Sequence, residues 1–572
     1  MLAYVLFALK DLWRRLANLR RRMRAAPDYV LFLLEGAYPD LPAPDGGFLR
    51  RRLAPRPLSL EELAERFEEV AGDPRVRGVV LHLRALRLAP AQIGTVRGMI
   101  GRLRAAGKRV VAWATSYDIA TYWVACAANE VLLQPGGGVA PLGLRQEYVF
   151  LADALEAVGL KGDFVQISPY KTAPDRFTRT NLSDEAREMA NWLMDSQYHA
   201  LLEAVRAGRT LDEAGALRLV DDAPLTDKTA LDRGAVDHLV HEEALPAHLG
   251  TDGRPARLVP WDEARRQLLR PPLPHPGRHI ARIRIDGLIV DGWSRRPPFR
   301  LPFPILGEVQ TGDLTVVQQA RQVLEDRRAA ALIVYVNSGG GSATASEAMA
   351  ASFQQVAARK PVVAVMGDVA ASGGYYVTTP ARWVVARPGT LTGSIGVLAG
   401  KFVDTGLGRR LRTHREVVSR GKNVGLFHPD RPFEPHERAW VWESIRRTYE
   451  LFLERVAAGR KMPVEDVDHV GGGRVWTGRQ ALERGLVDEL GGMEEAEAKA
   501  LELAGITTRL SVRDVREGRN LMAPSSVAAG EPEGLGGLQA HLATAWGLFR
   551  GGAPLCLSPV LWTRDMGSAY DP

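Results

Sequence analysis

The chain has little cysteine: Cys126 and Cys556 are the only two in 572 residues. Two thiols cannot build a disulfide framework, and no CxxC or Cys/His spacing offers a metal site. Long apolar runs are also missing. The N-terminal run from Leu2 to Leu9 falls far short of the roughly 20 residues that span a bilayer. No basic residue precedes it, so it fits a secretory signal poorly. Excess basic charge is also missing outside one end. The formal charge is +7, yet Lys10, Arg14, Arg15, Arg20, Arg21, Arg22 and Arg24 crowd the start and leave the rest close to neutral. That distribution gives no nucleic-acid footprint. A GxxxxGK[ST] string is absent too, which excludes a Walker-type phosphate cradle. No cofactor or metal is expected.

What is present is an ordinary globular composition, 46% apolar and 25% charged, in a chain too long for one core. Leu2, Val5, Leu6, Leu9, Leu12, Trp13, Leu16 and Leu19 recur at helical spacing with arginines between them. The spacing predicts an amphipathic helix over 1–26, lying on an anionic membrane surface or packed on another domain or subunit.

Beyond this helix the chain repeats itself. YVLFLLEG at Tyr29 is echoed by IARIRIDG near Ile280, and ALDRGAVD at Ala230 by ALERGLVD at Ala481. Between them, YWVACAANEVLLQP at Tyr122 lies under YYVTTPARWVVARP at Tyr375. A period of about 250 residues exceeds any solenoid repeat and means a duplicated domain. The expected organisation is a first repeat over 27–264, a Pro-rich linker over 265–278, a second repeat over 279–515 and a loosely packed tail over 516–572. Within each copy, short β-branched runs alternate with helices. Ser59 and Glu62 form a capping box before one of these helices, and GVVLHL, RVVAWA, ALIVYV and PVVAVM read as strands. The fold class is therefore α/β with mainly parallel strands, in two tandem diverged copies.

The chemistry concentrates in the second copy. PVVAVM runs into GDVAASGGYYV, which puts Ser372 after a strand and before a helix, followed by Gly373 and Gly374. Such a turn exposes backbone N–H groups beside a hydroxyl. A lone string of this kind is more often a helix N-cap with small packing residues. A second glycine-rich turn changes the weighting. ALIVYV ends in Asn337, Ser338, Gly339, Gly340, Gly341 and Ser342 before the next helix, a geometry able to hold a developing oxyanion. Two such strand ends converge on one side of a parallel sheet.

NSGGGSATASEA, VAASGGYYV, PGTLTGSIGV and WTGRQALERGLVDELGG occur in that order. Together they resemble the signal peptide peptidase A family of membrane-associated serine peptidases, over residues 27–500. The resemblance implies the spiral ββα fold shared with caseinolytic protease and crotonase enzymes. It also implies a Ser–Lys dyad without histidine, hydrophobic peptide substrates such as signal-peptide remnants, and a homo-oligomer, a tetramer. Ser372 matches the family nucleophile and Gly373 the oxyanion donor after it, with the Gly340 region as second donor. Gly339 replaces a proline common in the family.

For the base there are two candidates. YKTAPDRFTRTNLSDEARE matches the long-form lysine segment and puts Lys171 at the catalytic position, whereas VSRGKNVGLF offers Lys422. The ungapped match favours Lys171. A base lysine must lose its proton far below its reference pKa near 10.4, which burial achieves. Ser394 in LTGSIGV is the candidate to orient it, against the alternative of a plain turn serine. The first copy reads SYDIATYWV at the nucleophile position, without serine or glycines there, and its Ser116 is a decoy. His414, His428 and His436 lie outside the motifs, so no Ser–His–Asp triad with Asp368 is expected. A crotonase-type acyl-CoA enzyme using Asp368 or Glu347, and an inactive membrane scaffold, are the competing readings.

Overall fold

The computed structural model describes residues 2–43, 57–274, 276–295, 309–516 and 555–557. The chain separates into two compact units. One holds the described residues up to Arg145 and Met194–Gly277; the other holds Gln146–Leu193 and the described residues from Arg278 onward.

The first unit is built on a six-stranded parallel sheet. Its order is His238–Leu239, Glu130–Leu133, Arg109–Ala114, Gly78–Leu86, Tyr29–Gly36 and Leu258–Pro260. Val79, Val80, Val110, Val111 and Val131 are fully buried, as β-branched residues are in a sheet covered on both faces. Helices Leu60–Ala71 and Pro90–Ala105 pack on it, the first opened by the capping box of Ser59 and Glu62.

The second unit repeats that order strand for strand: Glu489–Leu490, Trp383–Ala386, Val362–Ala371, Ala329–Ser342, His279–Val290 and Ser511–Asp514, all parallel. Polar details recur as well. Arg209 grips Asp237 with two bonds of 3.0 and 2.6 Å, and Arg460 grips Asp488 with two of 2.7 and 2.6 Å. Each aspartate also accepts a backbone N–H at 2.7 Å, from Val131 and from Val384. Tyr122 and Tyr375 each donate their hydroxyl to the carbonyl of the matching repeat segment, at Ala235 and Leu486. Equivalent buried bonds in equivalent places are the physical content of the duplication.

The two copies differ at the carboxyl ends of the central strands. Gly78–Leu86 stops after nine residues, whereas Ala329–Ser342 runs for 14, straight through the glycines. The expected free turn at Asn337–Ser342 is instead paired backbone, because Leu288 and Ile289 ladder with Gly340 and Gly341.

The second unit also takes in a piece of the first sequence repeat. Lys161–Gln166 pairs antiparallel with Leu398–Val403. Phe164, Phe177 and Phe402 pack edge to face around it, at 5.5 and 5.4 Å between ring centres. Asp163 accepts the Phe433 N–H at 2.6 Å and pairs with Arg438. These contacts fix the chain that follows, Ile167–Ala173, inside the second unit. Helix Asp184–Arg209 then carries the chain back into the first.

The ends also modify the expected boundaries. Leu2–Arg22 is one helix. Its polar side is held in the first unit by Asn18, which exchanges bonds of 3.0 and 2.9 Å with the backbone of Arg270. The start of the Pro-rich linker is likewise part of that unit, since Leu268 is buried in its core. The tail over 516–572 lies outside the described residues except Arg516 and Leu555–Leu557. Those last three are not loosely packed. They form a strand, with Leu555 and Cys556 buried. Among the described residues no helix is long and apolar enough to cross a membrane.

Candidate active site

Strand Val362–Ala371 delivers Ser372 to a sharp corner. The serine adopts φ 56° and ψ −117° before the short helix Gly373–Tyr376. A side-chain-bearing residue held there costs about 1–3 kcal/mol, which the surroundings must supply. Here Ser372 N–H donates to Gly393 O at 2.7 Å, and Tyr376 N–H donates to Ser372 O at 2.8 Å. Ser394, also at positive φ, is fixed by its N–H to Arg474 O at 2.6 Å.

Lys171 reaches this corner from the segment after Lys161–Gln166. Its Nζ lies 2.7 Å from Ser372 Oγ, 2.8 Å from Ser394 O and 3.0 Å from Ser394 Oγ. The side chain is wholly buried. Burial pushes its pKa from 10.5 down to about 7, opposed weakly by the neighbouring Cys556 thiol. A neutral amine has two hydrogens and one lone pair. With both hydrogens given to Ser394, the lone pair of the neutral form would be left for the Ser372 hydroxyl, whereas the ammonium form donates to it.

The two glycine-rich segments stack on each other beside the serine. A Cβ added to Gly373 would stand 2.6 Å from Ser346 Oγ and 3.1 Å from Gly340 Cα; one added to Gly340 would stand 2.7 Å from Gly373 N. Only glycine fits at either place. Gly373 N–H, the first of its helix, has no intrahelical acceptor and faces this space. Gly340 N–H, expected as a second donor, is given to Ser338 Oγ at 3.1 Å, which in turn donates to Gly287 O at 2.6 Å. Gly340 therefore contributes close approach, and its N–H is already engaged.

The remaining candidates lie elsewhere. Lys422 is exposed in a turn. Asp368 pairs with Arg387 at 3.4 Å. Glu347 accepts the Tyr376 hydroxyl at 2.6 Å and bonds Arg455, so it is engaged as a structural anchor. Ser116, in the first unit, donates to its neighbour's carbonyl, Thr115 O, at 2.8 Å.

Two features escaped the sequence reading. Gly473 lies against the Lys171 backbone, where a Cβ would come within 2.6 Å of Lys171 N, and Ser168 Oγ bonds Gly472 O. The run Gly471–Gly472–Gly473 was the available signal, since three glycines outside a flexible linker mark close backbone approach. Cys556 was the other, and no motif pointed to it: burial pushes its thiol up to about 11, opposed by the neighbouring Lys171 and Ser372.

A strand-end serine, a buried lysine and a glycine cradle on a duplicated α/β scaffold belong to hydrolytic chemistry, and the chain is a serine peptidase. It belongs to Peptidase family S49, whose pattern matches residues 102–252 and 354–507, more than half of the chain. The two matched stretches fall one in each copy. Serine protease SPPA, chloroplastic, of Arabidopsis thaliana is 31% identical over 458 residues, covering 78% of this chain and 66% of that protein. Protease 4 of Haemophilus influenzae is 30% identical over 482 residues, 80% of this chain and 75% of that protein. Protease 4 of Salmonella typhi is 30% identical over 518 residues, 86% and 81%. The chain thus spans just under two thirds of the plant relative and more of the bacterial ones.

Proposed function

We propose that the chain is a membrane-associated endopeptidase that cleaves hydrophobic peptides such as signal-peptide remnants, with Ser372 as nucleophile and Lys171 as general base. The observation that carries this is the 2.7 Å contact between Ser372 Oγ and a wholly buried Lys171 amine. Lys171 accepts the hydroxyl proton as Ser372 attacks the scissile carbonyl. Gly373 N–H stabilises the oxyanion, Lys171 passes the proton to the leaving amine, and water resolves the acyl-enzyme. Ser394 orients the lysine, and Gly340 keeps the wall beside the carbonyl thin. In this reading the first copy supplies the base and the second the nucleophile. A homo-oligomer, a tetramer, forms part of the reading through the family.

The hydrophobic preference is supported by the walls near Ser372, where Ala173, Leu288, Val290 and Leu398 form an apolar cluster with Phe164 and Phe402 beside it. In a panel of fluorogenic peptides, an apolar sequence is expected to exceed a charged one of equal length in kcat/KM by at least about tenfold, the worth of one or two methylene-sized contacts. Equal rates across the panel would remove the preference.

Membrane association is supported by the N-terminal helix. Leu9, Leu12, Trp13, Leu16, Leu19 and Met23 form an exposed stripe along one side, with Trp13 at 69% exposure, while Asn18 holds another side to the first unit. An apolar stripe flanked by arginines suits the boundary of an anionic bilayer. Replacing Leu12, Trp13 and Leu16 together with glutamate is expected to abolish flotation with phosphatidylglycerol vesicles. Unchanged flotation would contradict the anchor.

A further inference from the structure

Leu555–Leu557 lies at Ser372. It runs antiparallel to the glycine strand, pairing Gly340 with Leu557, Gly341 with Cys556 and Ser342 with Leu555. Leu555 also pairs antiparallel with Leu398 on its other side. The segment is therefore a strand inserted between two others, in a slot that leads to the nucleophile. Leu555 is 1% exposed and packs with Leu288, Val290 and Leu398, while Cys556 is fully buried.

The placement of Cys556 gives the slot a polarity. Its thiol, pushed up to about 11 by burial, has Lys171 and Ser372 as the neighbours that oppose the shift. Its carbonyl oxygen lies 1.9 Å from where a Cβ on Gly340 would stand, so the segment's backbone is pressed against the Gly340 backbone. The side chain thus faces the nucleophile while the carbonyl oxygen faces the Gly340 backbone. Main-chain pairing on both edges holds an extended peptide largely without regard to sequence, and the alternate side-chain pockets select among peptides.

We infer that the slot between Gly340–Ser342 and Leu398 is the peptide-binding groove, and that the chain's own segment Leu555–Leu557 fills it and competes with peptides supplied in trans. This rests on Ser372 being the reactive centre. Leu555 and Cys556 stand in for substrate residues, which identifies preferred substrates as extended apolar peptides with a small side chain at the place of Cys556. An occupied groove reduces apparent affinity by the fraction of molecules in which it is free.

Two measurements on the full-length chain test this, with intact mass verifying that the C-terminus is retained. In the first, Cys556→Arg and Leu555→Asp each place a charge in a buried position of the segment and eject it. Each is expected to lower the apparent KM for an apolar fluorogenic peptide by about threefold or more at unchanged kcat, as release from a groove two-thirds occupied requires. In the second, Ser372→Ala protein is treated with iodoacetamide and its cysteines are mapped by mass spectrometry. Cys556 should alkylate slowly alone and several-fold faster with saturating apolar peptide, while Cys126, buried in the first unit, should not respond. This readout needs no turnover, so it stands apart from a failure of the peptidase reading. An unchanged KM in both variants, or Cys556 alkylation indifferent to peptide, would overturn the inference.

Discussion

Ser372→Ala is expected to reduce peptide hydrolysis by about four to six orders of magnitude, the loss seen when a nucleophile acting as a unit with its base is removed. The fall should appear in kcat, because the hydroxyl forms its bond only in the reaction itself. The fold should persist. Ser372 contributes its backbone to the corner through bonds to Gly393 and from Tyr376, and alanine keeps both. Thermal unfolding within a few degrees of the parent, together with lost turnover, separates a chemical role from a structural one. A variant that unfolds early would leave binding of an apolar peptide by the folded fraction as the deciding readout, since loss of the hydroxyl spares the groove.

Lys171→Met is expected to match that loss, because it keeps the length of the side chain and removes the base. Lys171→Arg should be equally inactive, since a guanidinium stays protonated. Lys422→Ala should stay within about twofold of the parent, as exposed side chains away from a site usually do. The pH dependence carries a definite sign. The active form is the free amine, so kcat/KM should fall as pH drops through about 7, where Lys171 takes up its proton, and level off above it. Stability should shift in the same direction. The folded pKa lies below the unfolded value of 10.5, so between about 7 and 10.5 the unfolded chain binds the extra proton and stability rises with pH. Methionine has no such dependence. Its gain in stability over the parent should be greatest near pH 7 and narrow toward pH 10.

Much of this was legible in the chain. The paired motifs at Ala230 and Ala481 disclosed the duplication because each carries the aspartate, Asp237 or Asp488, that a distant arginine grips. The Ser372 turn was visible because local chemistry alone, a strand followed by Ser-Gly-Gly, produces it. Other features depended on partners remote in sequence. The ungapped match favoured Lys171 over Lys422 without showing what separates them, which is burial: one passes beside Gly473 to reach Ser394, and the other stays in solvent. The glycines at 339–341 suggested an open turn because no local signal shows that Leu288, Ile289 and Leu555–Leu557 supply edges for them to pair with. Cys556 sat in a stretch of alanine, glycine and proline whose composition speaks for loose packing, yet three of its residues are held by two neighbouring strands.

The dyad itself is tested most directly by labelling the full-length protein with a fluorophosphonate probe across pH and mapping the adduct by mass spectrometry. The predicted result is a single adduct on Ser372, formed at a rate that rises with pH through about 7 and is lost in Lys171→Met. An adduct on any other residue, or labelling of Ser372 that persists in Lys171→Met with an unchanged pH profile, would contradict it.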